Sequence, residues 1–194
     1  MKITPIAHGL DLAKPTEGYV RTPGLHASDL YGSFYRSFDP ARYDKRRGED
    51  GEPLGFDTTK MELGIGFEEV LERTLAERLL GARPGEFVSP EGIIYSPDYL
   101  FSEDDLILGE FKLTWYSSRG APTDEKFSKW LTQIKLYCHW LEIRRARLYV
   151  LFVNGDYKPP TPALLAWELV FTPRELQDEA DMILRHGRSK GMIQ

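Results

Sequence analysis

Residues 106 to 115 read LILGEFKLTW, a run long and apolar enough for a strand inside a sheet, yet it carries a carboxylate and an ammonium two residues apart. Side chains alternate faces along a strand, so Leu106, Leu108, Glu110, Lys112 and Thr114 share one side, and Ile107, Phe111, Leu113 and Trp115 share the other. The second side is uniformly apolar and must face a core. The first begins apolar and turns polar halfway along, which marks where a sheet face stops being core and becomes a lined cleft.

The preceding segment, SPDYLF, places Pro97-Asp98 before another apolar, β-prone stretch, and the acidic turn SEDD separates it from LILGEFKLTW. Proline disrupts regular pairing and favours an edge or a bulge. A three- or five-residue turn would set Asp98 directly opposite Glu110, whereas a two- or four-residue turn would need a bulge to bring both to one face. Either route gathers two carboxylates and one lysine. Carboxylates this close repel unless a cation sits between them, and Mg²⁺ or Mn²⁺ takes oxygen ligands of that kind. The plainer alternative is a salt bridge of Lys112 with Asp98 or Glu110 on a solvated face, a common contact worth little.

Elsewhere the periodicity alternates between helical and extended. Residues 1–27 are rich in Pro, Gly and Thr and predict an extended arm; Ser28 is placed to cap a short helix over DLYGSFYRSF, and the polar, Gly-rich stretch 39–60 predicts a long loop. From Met61 to Leu80, Phe67, Val70, Leu71, Thr74, Leu75 and Leu79 form one helical stripe ended by Gly81, with Glu68 at its border. Residues 86 to 115 carry three strand signals. A third helix is predicted over 124–142, where Gln133, Tyr137, Trp140 and Arg144 recur beside the apolar stripe. RLYVLFV and ALLAWELVF predict two more strands, and Thr172-Pro173 opens a last helix. This order predicts a mixed sheet with helices on its faces.

The chain has 194 residues, enough for one domain with a substantial core, and a net charge of -5, which argues against coating nucleic acid by bulk electrostatics while leaving room for a local basic groove. Three short basic clusters, at Lys45 to Arg47, Arg144 to Arg147 and Arg185 to Lys190, are candidates for such a groove or for plain solvated surface. With Cys138 as the single cysteine, neither an internal disulfide nor a four-cysteine iron–sulfur cluster is possible, and the four histidines are too scattered to assign to a metal. No apolar run is long enough to span a bilayer and the N-terminus lacks a secretory core, so a cytoplasmic location is expected.

Four motifs occur in order: Gly64-x-x-x-Glu68, Pro97-Asp98, Glu110-Phe111-Lys112 and Gln133-x-x-x-Tyr137. This set resembles the PD-(D/E)xK nuclease superfamily, and its order is similar to the RecB-like and phage lambda-exonuclease-like branch, over about residues 61 to 154. Glutamate at position 68 resembles the lambda-exonuclease-like relatives; RecB-like proteins commonly have histidine there. The resemblance implies an α/β, restriction-endonuclease-like core of helix, three strands, helix and strand, in a domain over 61–194 that follows an N-terminal region over 1–60. It implies that Glu68, Asp98, Glu110 and the main-chain carbonyl of Phe111 hold one or two Mg²⁺ or Mn²⁺ ions, with Asp98, Glu110 and Lys112 catalytic. Gln133, Tyr137 and Arg144 would contact DNA.

The activity implied is hydrolysis of DNA phosphodiester bonds by a nuclease without an iron–sulfur cluster, an exonuclease in recombination, repair or phage DNA processing. A recombination or repair partner and a homo-oligomer are compatible with it, in a bacterial or phage-infected host cell. Three alternatives remain: a structure-specific endonuclease of the same fold, a non-catalytic nucleic-acid-binding or assembly module, and an unrelated small-molecule α/β protein in which Glu68 and Gln133 point away from Asp98.

Overall fold

The computed structural model describes residues 3–5, 21–43, 55–76, 81–120, 122, 125–158 and 161–194. In chain order its elements are Ile3–Pro5 (β1), Ala27–Phe38 (α1), Pro40–Tyr43 (α2), Gly55–Ala76 (α3), Gly81–Ala82 (β2), Phe87–Val88 (β3), Ile94–Tyr95 (β4), Tyr99–Ser102 (β5), Leu106–Thr114 (β6), Ser128–Trp140 (α4, led by a 3₁₀ turn Glu125–Phe127), Arg145–Phe152 (β7), Ala163–Val170 (β8) and Pro173–Ser189 (α5). Six strands form one sheet in the order β1-β8-β7-β6-β5-β2, and β3 and β4 form a separate ribbon. Among the described strands of this sheet β6 and β7 alone pair in parallel, which requires a crossover, and α4 supplies it. The expected mixed sheet flanked by helices is therefore what the chain builds.

The sheet separates two cores. On one face Leu108, Ala146, Leu148, Val150 and Phe152 pack with α1, α4 and α5, and on the other Ile107, Phe111, Tyr149 and Leu151 pack with Phe67, Leu71 and Leu75 of α3. β7 buries both faces, which explains why RLYVLF is nearly continuously apolar. Gly109 has a steric reason: a Cβ there would come within 2.9 Å of both the Phe101 ring and the Tyr99 Cβ, whose side chains fill that side of β6 just before Glu110.

Helix ends show where local chemistry dictates structure and where it does not. Thr172 Oγ1 accepts from Glu175 N at 3.2 Å while Glu175 Oε2 accepts from Thr172 N at 2.8 Å, with Pro173 in the first turn, so α5 begins where a reciprocal cap worth about 1 kcal/mol predicts. At α1 the cap is His26, two residues before the expected Ser28; Asp29 Oδ2 accepts from the His26 main-chain N–H at 3.2 Å, and Ser28 already lies within the helix.

Three further boundaries differ from the sequence reading. α3 begins at Gly55, inside the stretch predicted as loop, so a division at residue 60 cuts through a helix. α1 is no appendage either, since Ala27, Leu30 and Tyr31 belong to the core shared with α4 and α5. Gly81, expected to end the long helix, lies in β2 and pairs with Phe101. Leu79 and the cluster Lys45, Arg46 and Arg47 lie outside the described residues. Among the described residues no helix is long and apolar enough to cross a membrane.

Candidate functional site

The register between β5 and β6 resolves the turn. Ser102 pairs with Leu106 and Tyr99 with Gly109, so the turn is the three residues Glu103, Asp104 and Asp105. One step beyond the last pair, Asp98 falls opposite Glu110, and one further, Pro97 falls opposite Phe111. No bulge is needed. The ladder stops there because the chain substitutes side-chain for main-chain chemistry: Asp98 Oδ2 accepts the Phe111 N–H at 2.7 Å. Pro97 has no N–H to give the Phe111 carbonyl, so that oxygen faces the open edge of β6 without the ladder partner an ordinary residue would supply.

Glu110 is fully buried, on the face that carries Leu108, beneath α4 and α1. The strand face does turn polar at this point, but it is roofed by helices and forms no open wall. Glu110 Oε1 accepts from Gln133 Nε2 at 2.6 Å and from Lys112 Nζ, while Glu110 Oε2 has no hydrogen-bond partner among the described residues. Tyr31 OH donates to Gln133 Oε1 at 3.1 Å, and the Tyr137 hydroxyl lies 3.4 Å from Gln133 Nε2. Because the tyrosine donates to one end of the amide, the other end must present its N–H groups to the carboxylate.

Glu68 approaches from α3, with Arg83 Nη2 3.9 Å from its carboxylate. Burial raises its pKa to about 7; the negative charge of Asp98 adds to the rise, and Lys112 and Arg83 oppose it. Burial also raises Asp98, against the lowering by Lys112 and the Phe111 N–H, and raises Glu110 well above the usual carboxylate range with Asp98 as the next cause. For Lys112 burial favours the neutral amine, but Glu110 and Asp98 outweigh it and hold the pKa above that of a free lysine. The lysine is therefore an ammonium here, a fixed positive charge among three acids. Tyr31 and Tyr137 are held neutral by burial.

These oxygen donors suit a hard divalent cation in chemistry: three carboxyl groups belong to one site, and among the described residues Glu110 Oε2 is buried without a donor. They are not yet gathered as ligands. Among the described residues no three His, Cys, Asp or Glu side chains stand together as a metal's ligand set. Each already has partners: Asp98 takes the Phe111 N–H and lies in side-chain contact with Glu110, Glu110 takes Lys112 and Gln133, and Glu68 leans to Arg83. A cation would have to compete with these contacts, with the lysine and arginine giving way.

Of the residues singled out in the sequence, Glu68, Asp98, Glu110, Lys112, Gln133 and Tyr137 converge, and the Phe111 main chain lies between them. Arg144 does not join. α4 ends at Trp140, the chain turns through Glu142 at φ 57, and Arg144 lines a hollow with Asp105, Leu106 and Arg145 at the start of β6. Leu106 is four residues from Glu110, about 13 Å along a strand. The helical spacing that would carry Arg144 onto the Gln133 face does not persist past the end of α4. A Cβ at Gly64 would meet nothing within 4 Å, so packing gives no reason for glycine in that motif. The residue the sequence did not single out is Tyr31. A tyrosine on a buried helical face signals a hydroxyl in need of a partner, but nothing local names Gln133, 102 residues away.

No protein-family model matches this chain, and no curated protein matches it in sequence. Solved structures do. An alkaline exonuclease, LHK-Exo from Laribacter hongkongensis, superposes with a TM-score of 0.52 at 14% identity over 86% of this chain and 89% of that one. SSO0001 superposes with a TM-score of 0.51 at 15% identity over 86% and 78%. At such identities the likeness concerns the fold. The chain has a mixed α/β, restriction-endonuclease-like fold with its acidic cluster where β5 leaves β6.

Proposed function

We propose that the protein is a metal-dependent nuclease hydrolysing DNA phosphodiester bonds, an exonuclease working in recombination, repair or phage DNA processing. The observation that carries this is the meeting of Asp98, Glu110 and Lys112 with Gln133 and Glu68 halfway along β6, from four separate segments. The likeness to an alkaline exonuclease supports the same reading at the level of fold.

Glu68, Asp98, Glu110 and the Phe111 carbonyl would hold Mg²⁺ or Mn²⁺, which when bound supplies a water of lowered pKa and positive charge against the phosphoryl oxygens. The protein's own groups do the rest. Lys112, fixed as an ammonium, offers its protons to the attacking water or to a phosphate oxygen and counters charge gathering there. Gln133, locked by Tyr31, orients Glu110. The buried setting strengthens each of these interactions relative to water. The separate engagement of the three carboxylates favours one second reading, a non-catalytic DNA-binding module of the same fold.

One time course distinguishes the readings: circular and linear, single- and double-stranded DNA with Mg²⁺, with Mn²⁺ and with EDTA. The exonuclease reading expects degradation of linear DNA with either metal, none in EDTA, and none from Asp98→Asn. Cutting of closed circles points to an endonuclease, and cleavage that persists in EDTA contradicts the metal mechanism. DNA left intact in every arm by a folded protein leaves the binding module.

A further inference from the structure

Beyond Lys112, β6 and β7 run out together into two loops, 115–120 and 153–158, which are stitched to each other. Ser118 N donates to Gly155 O at 2.7 Å, Asn154 Nδ2 to Trp115 O at 3.2 Å, and Tyr157 OH to Trp115 O at 3.5 Å. Lys126 Nζ ties the first loop to the turn before α4 by donating to Arg119 O at 2.8 Å. The pair is thus one braced surface.

That surface presents two aromatic rings to solvent, with Tyr116 46% and Tyr157 67% exposed. Tyr157 sits at φ 67, a left-handed conformation that a glycine would adopt more easily. Cations accompany the rings. Arg119 is 64% exposed and ion-paired with Asp156, and Lys158 is exposed. Tyr116 follows Lys112 by four residues, at most about 13 Å along the chain. Exposed aromatics interleaved with cations suit unpaired bases and their phosphates, because every base has a face to stack and every nucleotide a charge to meet. A duplex hides those faces.

We propose that the two loops form a stacking platform, with Tyr116 and Tyr157 as its rings, for the single-stranded segment of DNA next to the scissile phosphate. The choice of that segment rests on the nuclease reading above; the stacking itself does not. The test uses the full chain in EDTA, where cleavage is suppressed, and follows fluorescence anisotropy of a labelled 12-nucleotide oligo-dT and of a labelled 12-base-pair blunt duplex.

In the Tyr116→Ala, Tyr157→Ala double variant, oligo-dT binding is expected to weaken roughly tenfold or more while duplex binding changes less than about twofold. The Tyr116→Phe, Tyr157→Phe variant, which keeps both rings, should bind oligo-dT as the wild type does. Circular dichroism and melting confirm that each variant is folded. Unchanged oligo-dT binding in the alanine variant, equal weakening of both DNAs, or failure of the phenylalanine variant to retain binding would each overturn the platform. A separate Mg²⁺ reaction keeps the two readings apart. Ring-dependent oligo-dT binding without hydrolysis defeats only the nuclease reading, and hydrolysis with ring-independent binding defeats only the platform.

Discussion

Glu68→Gln is expected to make the cation-free protein more stable at pH 8 and to leave it nearly unchanged at pH 4.5. The folded protein raises the Glu68 pKa from 4.5 to about 7, so between those values the native state holds a proton that the unfolded chain has lost. Stability supplied by the neutral acid is complete below pH 4.5, is lost as pH rises, and is gone above 7. At 1.36 kcal/mol per unit the difference is about 3 kcal/mol. Since 27% of the side chain still meets solvent, screening reduces this to about 2 kcal/mol. Glutamine keeps the shape and removes the ionisation. Its cost is the contact with Arg83, 3.9 Å away, an exposed pair worth less than about 1 kcal/mol. For a chain of this size 2 kcal/mol corresponds to about 4–8 °C. Thermal melting of wild type and variant in EDTA from pH 4.5 to 8.5 should therefore give curves that coincide at the acid end and separate through pH 7. Parallel curves, or a variant that is less stable at pH 8, would refute the buried setting that raises the Glu68 pKa.

Tyr31→Phe keeps the buried ring but leaves Gln133 Oε1 without its donor, which should cost about 1–2 kcal/mol in urea unfolding. On the nuclease reading it should lower kcat about tenfold with little change in KM, because the amide is freed to turn its oxygen towards Glu110. Lys112→Ala leaves Glu110 buried beside Asp98 without its cation and should lose about 3–5 kcal/mol of stability, so loss of cleavage in that variant alone is ambiguous. Lys112→Ala combined with Glu110→Gln should recover most of that stability, measured by urea unfolding, and remain inactive. Arg144→Ala, at the far end of β6, should leave both DNA binding and cleavage within about twofold of wild type.

The polar turn in LILGEFKLTW points to the acidic cluster because a strand's alternation is a local rule, and the two carboxylates meet because that rule, with a three-residue turn, fixes register. The α5 boundary was legible for the same reason, since Thr172, Pro173 and Glu175 carry its cap within four residues. What was not legible depends on distant contacts. Helix α3 starts at Gly55 in sequence that has no apolar stripe to announce it. Tyr31 matters only because α1 lies across α4, and Arg144 fails only because the chain leaves the helix at Leu141. The burial of Glu110 was hidden too, since alternation tells which face a side chain shares and not what covers it.

That burial carries an electrostatic cost that the site's own groups offset. Three carboxylates packed among helices would oppose folding if all were ionised, and each has its pKa raised by burial. Lys112 supplies the internal counter-charge: held protonated by Glu110 and Asp98, it takes one Glu110 oxygen, while the Phe111 N–H stabilises Asp98. Glu68, which still meets solvent, is the acid that can exchange its proton near neutral pH. A divalent cation entering such a site would displace the ammonium from Glu110 and the proton from Glu68 together. Binding should then release protons and strengthen as pH rises through 7, the range in which Glu68 gives up its proton. On the nuclease reading Lys112, an ammonium beside the carboxylates, is the group that would meet a phosphate.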